Sequence, residues 1–188
     1  HITFRNNLII NVGYIGGFGT GGSYIFNLYD LDYATIVNNV FAITDPQHYN
    51  GHPFRAQAMA SAGKDGSHHL ILKNNIFYGF KSNDYLTVDT ASLVGSEIDN
   101  NLWSVNPTWP PRIPGQDEHS FFGVDPQFVN VSSDDFHLTN NSPAINAGVD
   151  LSAYFSADKD GVPRPQGSAW DIGAYEYVEG GAGVIYGD

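Results

Sequence analysis

The densest run of chemically capable side chains lies between Asp45 and His69, comprising Asp45, His48, Tyr49, His52, Arg55, Gln57, Lys64, His68 and His69. Within it, His52-Pro53-Phe54-Arg55-Ala56-Gln57-Ala58 alternates. A strand there sets His52, Phe54, Ala56 and Ala58 on one face and Arg55 and Gln57 on the other. The simplest role for such a row is a structural polar ladder; the sharper one is a site that handles a proton. Zinc fits poorly. His48 and His52 are four apart, which suits ligands on a helix, but the neighbouring prolines and glycines break one. His68 and His69 are adjacent, so a strand would send them to opposite faces.

Two further places offer chemistry. Asp158-Lys159-Asp160-Gly161 has the look of part of a calcium loop, with Asp171 able to join in space. The remaining ligands and the bidentate Glu of a full loop are missing, so a turn is the simpler account and any Ca²⁺ there is structural. Among the aromatics, Trp103 and Trp170 read as core, and so by default would any other. Trp109 escapes that default, because the prolines at 107, 110, 111 and 114 put it in a surface loop where its ring can stack on a ligand. Glycines at 13, 16, 17, 19, 21 and 22 lack the spacing and the Gly-Lys-Ser/Thr ending of a nucleotide loop.

The elements that must position these residues repeat. Arg5-Asn6-Asn7-Leu8-Ile9, Val37-Asn38-Asn39-Val40-Phe41, Lys73-Asn74-Asn75-Ile76-Phe77 and Asp99-Asn100-Asn101-Leu102-Trp103 share one frame. Their second asparagines stand 32, 36 and 26 residues apart, a period typical of stacked repeats. A strand interrupted by Asn-Asn turns a corner, since Asn tolerates the left-handed backbone and its amide bonds nearby backbone. Stacked at the strand spacing of about 4.8 Å, equivalent asparagines should form an amide ladder, with the apolar residues after each corner pointing into a shared interior.

These repeats resemble those of right-handed parallel β-helix proteins of the pectate-lyase-like superfamily. The run from Asp125-Pro126-Gln127-Phe128-Val129 through Ser142-Pro143-Ala144-Ile145-Asn146-Ala147-Gly148 to Asp171-Ile172-Gly173-Ala174-Tyr175-Glu176 is similar to the C-terminal segment of many bacterial secreted and surface β-helix proteins. The resemblance implies an all-β solenoid of about four to six coils, roughly 20–30 Å long at strand spacing. Residues 1–120 would form coils and surface loops, residues 121–177 an irregular segment closing the solenoid end, and residues 178–188 a tail or linker. It also implies a secreted or cell-surface protein that binds or processes polysaccharide, a lyase or epimerase of a uronate polymer if it is an enzyme. In lyases of this kind a Lys or Arg removes the proton α to a uronate carboxylate that a cation such as Ca²⁺ neutralises. Arg55 or Lys64 would be that base, with His52 beside them. Asp45 or Asp65 would hold the cation, and His48, Tyr49, Gln57 and Trp109 would contact substrate. Yet an unperturbed Lys or Arg is a weak base, and no catalytic motif maps onto these positions one by one. A non-catalytic adhesive, structural or filament subunit, self-associating through an uncapped N-terminal end, is the rival expectation.

Bulk properties narrow the partners. The chain has 188 residues, 15% charged, and a formal net charge of −12. With no basic stripe to displace counterions, nucleic acid is disfavoured. A polyanionic glycan meets the same long-range repulsion unless a cation bridges it, whereas a neutral glycan does not. Cysteine is absent, so neither disulfides nor thiol chemistry enter, and no run is long and apolar enough for membrane insertion. The chain opens at His1 inside an apparent strand without a signal peptide, so a leader and earlier repeats are expected upstream.

Overall fold

The computed structural model describes residues 1–11, 23–29, 32–45, 51–57, 68–80, 87–88, 94–106 and 115–180, with backbone alone for 23–29, 51–57 and 87–88. The regular secondary structure of the described residues is almost entirely β, and most of the strands build three parallel sheets. Sheet one stacks β1 (Ile2–Arg5), β4 (Ala34–Val37), β7 (Ile71–Lys73) and β10 (Glu97–Asp99) in that order. Sheet two stacks β2 (Leu8–Ile10), β5 (Val40–Ala42), β8 (Ile76–Tyr78), β11 (Leu102–Trp103) and β12 (Phe121–Phe122). Sheet three stacks β3 (Ser23–Tyr29), β6 (Gly51–Gln57) and β9 (Thr87–Val88). Each neighbour comes from the next repeat in sequence. Among the described residues the only antiparallel sheet is the hairpin of β13 (Phe128–Asn130) and β14 (Asp135–Leu138), joined by one 3₁₀ turn.

The paired asparagines divide the corner between them. The first of each pair, Asn6, Asn38, Asn74 and Asn100, takes a left-handed φ of 51°, 52°, 55° and 53°, turning the chain from sheet one into sheet two. The second builds the ladder. Asn39 Oδ1 accepts the backbone N–H and the side-chain amide of Asn7 at 2.9 Å each. Asn75 receives the same two bonds from Asn39, and Asn101 from Asn75. At the far end Ser120 Oγ accepts from Asn101 N and donates to Asp117. The amides at 39, 75 and 101 also donate to carbonyls of sheet one, including Phe4, Ile36 and Leu72. Asn39, Asn75 and Asn101 are fully buried, yet their polar atoms are paired, which is the condition for burial without a large penalty.

The apolar residues after each corner do not all turn inward. Successive strand residues face opposite sides. Thus Ile9, Phe41, Phe77, Trp103 and Phe122 enter the core between sheets one and two, against Phe4, Ile36, Leu72 and Ile98. Their rings stack from repeat to repeat, Phe41 on Phe77 at 5.1 Å and Phe77 on Trp103 at 4.0 Å between centroids. The residues before them, Leu8, Val40, Ile76, Leu102 and Phe121, face outward into a second core made with the C-terminal segment. Sheet two is therefore covered on both faces, as parallel sheets usually are.

That second core changes the role expected for residues 121–177. Rather than sitting over an end, the segment runs beside the repeats along the asparagine corner. Phe136, Leu138, Ala144, Ile172 and Ala174 cover sheet two, while Leu151 and Trp170 cover Val37 and Ile71 of sheet one. The first asparagines tie it down. Asn6 donates to Ala157 O, and Asn38 donates to the carbonyls of Asp171 and Gly173. Asn74 donates to Val149 O and accepts from Val149 N, and Asn100 donates to Ala147 O. Arg5 also donates to Tyr154 O. Gly173 fits here because its φ is +103° and a Cβ would meet Ile76 Cδ1 at 2.7 Å. The segment begins two residues late as well, since Phe121–Phe122 still pair in parallel with β11.

Candidate functional site

Sheet three carries the region that the sequence singled out. β6 is its central strand, and the register sets Arg55 level with Asn27 on one side and Thr87 on the other. Gln57 is level with Tyr29. Strand alternation groups Asn27, Tyr29, Arg55, Gln57 and Thr87 on one face. His52 is level with Tyr24, and Phe54 with Phe26, so His52 belongs to the opposite, apolar face. A joint role for His52 and Arg55 therefore has no support in the register. His48, Tyr49, Lys64, Asp65 and Trp109 lie outside the described residues.

His68 and His69 do not lie in a strand. They precede β7, and His69 takes a left-handed φ of 55°, so the expected split across a sheet gives way to a corner. His68 Nδ1 lies 3.1 Å from Asp32 Oδ1, and the His69 ring stacks on Tyr33 at 4.5 Å between centroids.

The aspartates considered for calcium serve the backbone. Asp158 Oδ1 accepts from the N–H groups of Asp160 and Val162 at 2.8 Å each, and its Oδ2 accepts from Glu176 N at 2.8 Å. Asp171 accepts from Asn146 N at 2.7 Å and Tyr177 N at 2.6 Å. Both are buried, and these bonds describe an Asx-type turn and a strut between chain segments. Among the described residues no three His, Cys, Asp or Glu side chains gather as a metal would need.

Behind that turn sits a buried ion pair that composition alone did not reveal. Arg164 Nη1 donates to Glu176 Oε2 at 2.7 Å and to Asp171 O at 3.1 Å, while Nη2 donates to Gly173 O at 2.9 Å. Both side chains have 0% exposure. Burial pushes the carboxyls of Glu176 and Asp171 up, while Arg164 and the neighbouring N–H donors pull the other way. The cluster is sealed, so it orders the segment and meets no solute.

Asp160, in contrast, reaches the surface and joins a titratable bridge. His137 Nδ1 lies 2.6 Å from Asp135 Oδ1 and Nε2 lies 2.9 Å from Asp160 Oδ2, linking β14 to the 158–161 turn. Both contacts are N–H donors only in the imidazolium form. Burial lowers the proton affinity of His137, but the hydrogen bonds and charges of Asp135 and Asp160 outweigh it and hold the pKa above its ordinary value. The ring lies against Tyr175, whose hydroxyl is pushed up to about 12 by burial and then by Asp160, Asp135 and Asp158. A raised histidine contributes stability that is complete below its unfolded value of about 6.5 and is lost as pH rises through the folded value. Urea unfolding across that window should therefore show a decline with rising pH that is shallower in Asp160→Asn. Equal slopes would remove His137 from the account.

A concavity not singled out by the sequence opens at the C-terminal ends of β5, β8 and β11. It is an open groove of about 320 Å³ lined by Thr44, Tyr78, Gly79, Ser104, Asp125 and Val131. Its parts come from three repeats and the C-terminal segment, so no single stretch of sequence signals it.

Comparisons of the chain with protein-family models, with curated proteins and with solved structures give no match. No helix among the described residues is long and apolar enough to cross a membrane.

Proposed function

We propose that the chain is a right-handed parallel β-helix of the pectate-lyase-like kind, part of a secreted or cell-surface protein that binds polysaccharide along its length. The supporting observation is the sheet order. Among the described residues, each of the first three repeats adds one parallel strand to each of three sheets and the fourth adds one to sheets one and two, an order that coils stacked at about 4.8 Å would produce. Such a stack offers an extended face whose period suits a polymer better than a compact metabolite. The Arg55 face of sheet three is the binding surface in this reading, because it sets a cation, amides and hydroxyl-bearing residues in adjacent rows.

Retention on insoluble polysaccharides, both neutral and uronate-containing, tests this directly. Wild-type chain should be retained on at least one of them, and Arg55→Ala should weaken that retention. A folded chain retained by none would sink the reading. Run alongside, ultraviolet absorbance of unsaturated uronides from pectate and alginate, with and without Ca²⁺, separates a lyase from a binder.

A second reading, a spacer or filament subunit, draws on β1 and β2. Among the described residues these are the outermost strands of their sheets, and an edge of that kind can pair with another chain. Concentration-dependent mass in light scattering, abolished by a proline placed in β1, would favour it.

A further inference from the structure

The groove at the ends of β5, β8 and β11 is built from complementary parts. The Tyr78 ring is held edge-on by Phe128 at 5.5 Å and 71° and by Phe136 at 6.4 Å and 75°. A ring fixed in this way loses little rotamer freedom when a ligand arrives. Thr44 Oγ1 accepts from Asn11 Nδ2 at 2.9 Å, and Ser104 Oγ accepts from Gly79 N at 3.0 Å. Each hydroxyl therefore keeps its own hydrogen for donation. Asp125, at the exposed rim, is fixed by the N–H of Gln127 on Oδ1 at 2.9 Å and supplies acceptors. Gly79 keeps the wall bare, because its φ is +75° and a Cβ there would meet Ile43 O at 2.0 Å.

This set selects by exclusion. An anion is repelled by Asp125 within a chain of net charge −12. A metal ion finds one carboxylate where it needs several ligands. A wholly apolar molecule would cover two hydroxyls and a carboxylate without compensating bonds. What remains is a neutral polyol with an apolar flank, whose hydroxyls both donate and accept. A pyranose fits that description, and the groove lies at the small end of ligand-site volumes.

We infer that this groove is a subsite for one neutral sugar residue, with Asp125 accepting from its hydroxyls, Thr44 and Ser104 donating to them, and Tyr78 against the apolar flank. The inference rests on the polysaccharide reading but not on uronate chemistry, and it uses a surface other than the Arg55 face. The test is calorimetric titration of xylohexaose, mannohexaose and cellohexaose into wild-type chain and into Asp125→Ala and Thr44→Val, with folding checked by circular dichroism. Wild type should bind at least one hexaose. Asp125→Ala should weaken it tenfold or more, and Thr44→Val less. Unchanged affinity in both folded groove variants overturns the subsite. So does a wild type that binds only acidic polymers through Arg55, although that outcome leaves the polysaccharide reading standing. A wild type that binds neither hexaoses nor polymers overturns both. Should Asp125→Ala fail to fold, Asp125→Asn retains the turn-forming acceptor and Thr44→Val still decides the matter.

Discussion

Replacing Glu176 by glutamine is expected to cost about 3–5 kcal/mol of folding stability, a large share of the roughly 5–15 kcal/mol that holds a typical domain together. The side chain keeps its size, so the loss is electrostatic. Arg164 is fully buried, and Glu176 is the carboxylate that meets its guanidinium at 2.7 Å. Without that charge the guanidinium is left in the interior with the carbonyls of Asp171 and Gly173 as acceptors. Glu176 also accepts from the backbone of Gln166 and Asp171, bonds that a glutamine can keep only in part. Urea unfolding measures the effect. The double variant Arg164→Met with Glu176→Gln should cost less than the two single changes added, because removing both charges leaves neither stranded. Strict additivity would show that the pair is not coupled. Since the segment it orders covers sheets one and two from outside, early loss of Trp170 packing should accompany the loss of stability.

The second large effect concerns the amide ladder. Asn75→Asp preserves shape but puts an oxygen where Nδ2 now donates to Ile36 O, Lys73 O and Asn101 Oδ1 at 2.9, 3.0 and 3.0 Å. Three acceptors then face a fourth, in a site with 0% exposure. Each polar group left unsatisfied costs about 1–3 kcal/mol, so a loss on the order of 3–5 kcal/mol is expected. Protonation would restore one donor, so the deficit relative to wild type should shrink as pH falls. The same change at Asn7, which is half-buried and has two amide contacts, to Arg5 O and Asn39 Oδ1, should cost clearly less. Equal losses at the two positions would mean that the ladder does not carry the stability assigned to it.

Both predictions concern parts that the sequence disclosed unequally. The asparagine pairs were legible because a corner needs a left-handed residue and a stack rewards an amide, and both demands are local and periodic. The strands around them and the aromatic column of Phe41, Phe77 and Trp103 follow from the same frame, and the burial of Trp170 follows from the default for large aromatic side chains. The partner of the outward face was not legible from position alone. Val40-Phe41, Ile76-Phe77 and Leu102-Trp103 each place two apolar residues in succession, and alternation must send one of them outside. That pattern announces a sheet covered on both faces, but not which segment covers it.

Tertiary structure decided the rest. It laid residues 123–177 along the corner, where the first asparagines bind their backbone, because the exposed apolar face ran the length of the repeats. It also joined Arg164 to Glu176 and His137 to Asp160, pairs whose chemistry depends on distances that local sequence does not encode. The groove was invisible for the same reason, since Thr44, Tyr78, Ser104 and Asp125 belong to separate repeats and meet only when those repeats stack. The sequence by itself determined the repeat, its corners and the composition that disfavours nucleic acid. Which side chains share a surface was decided by the stacking, because strand alternation is a property of each residue's neighbours in the chain, whereas a site is a property of its neighbours in space.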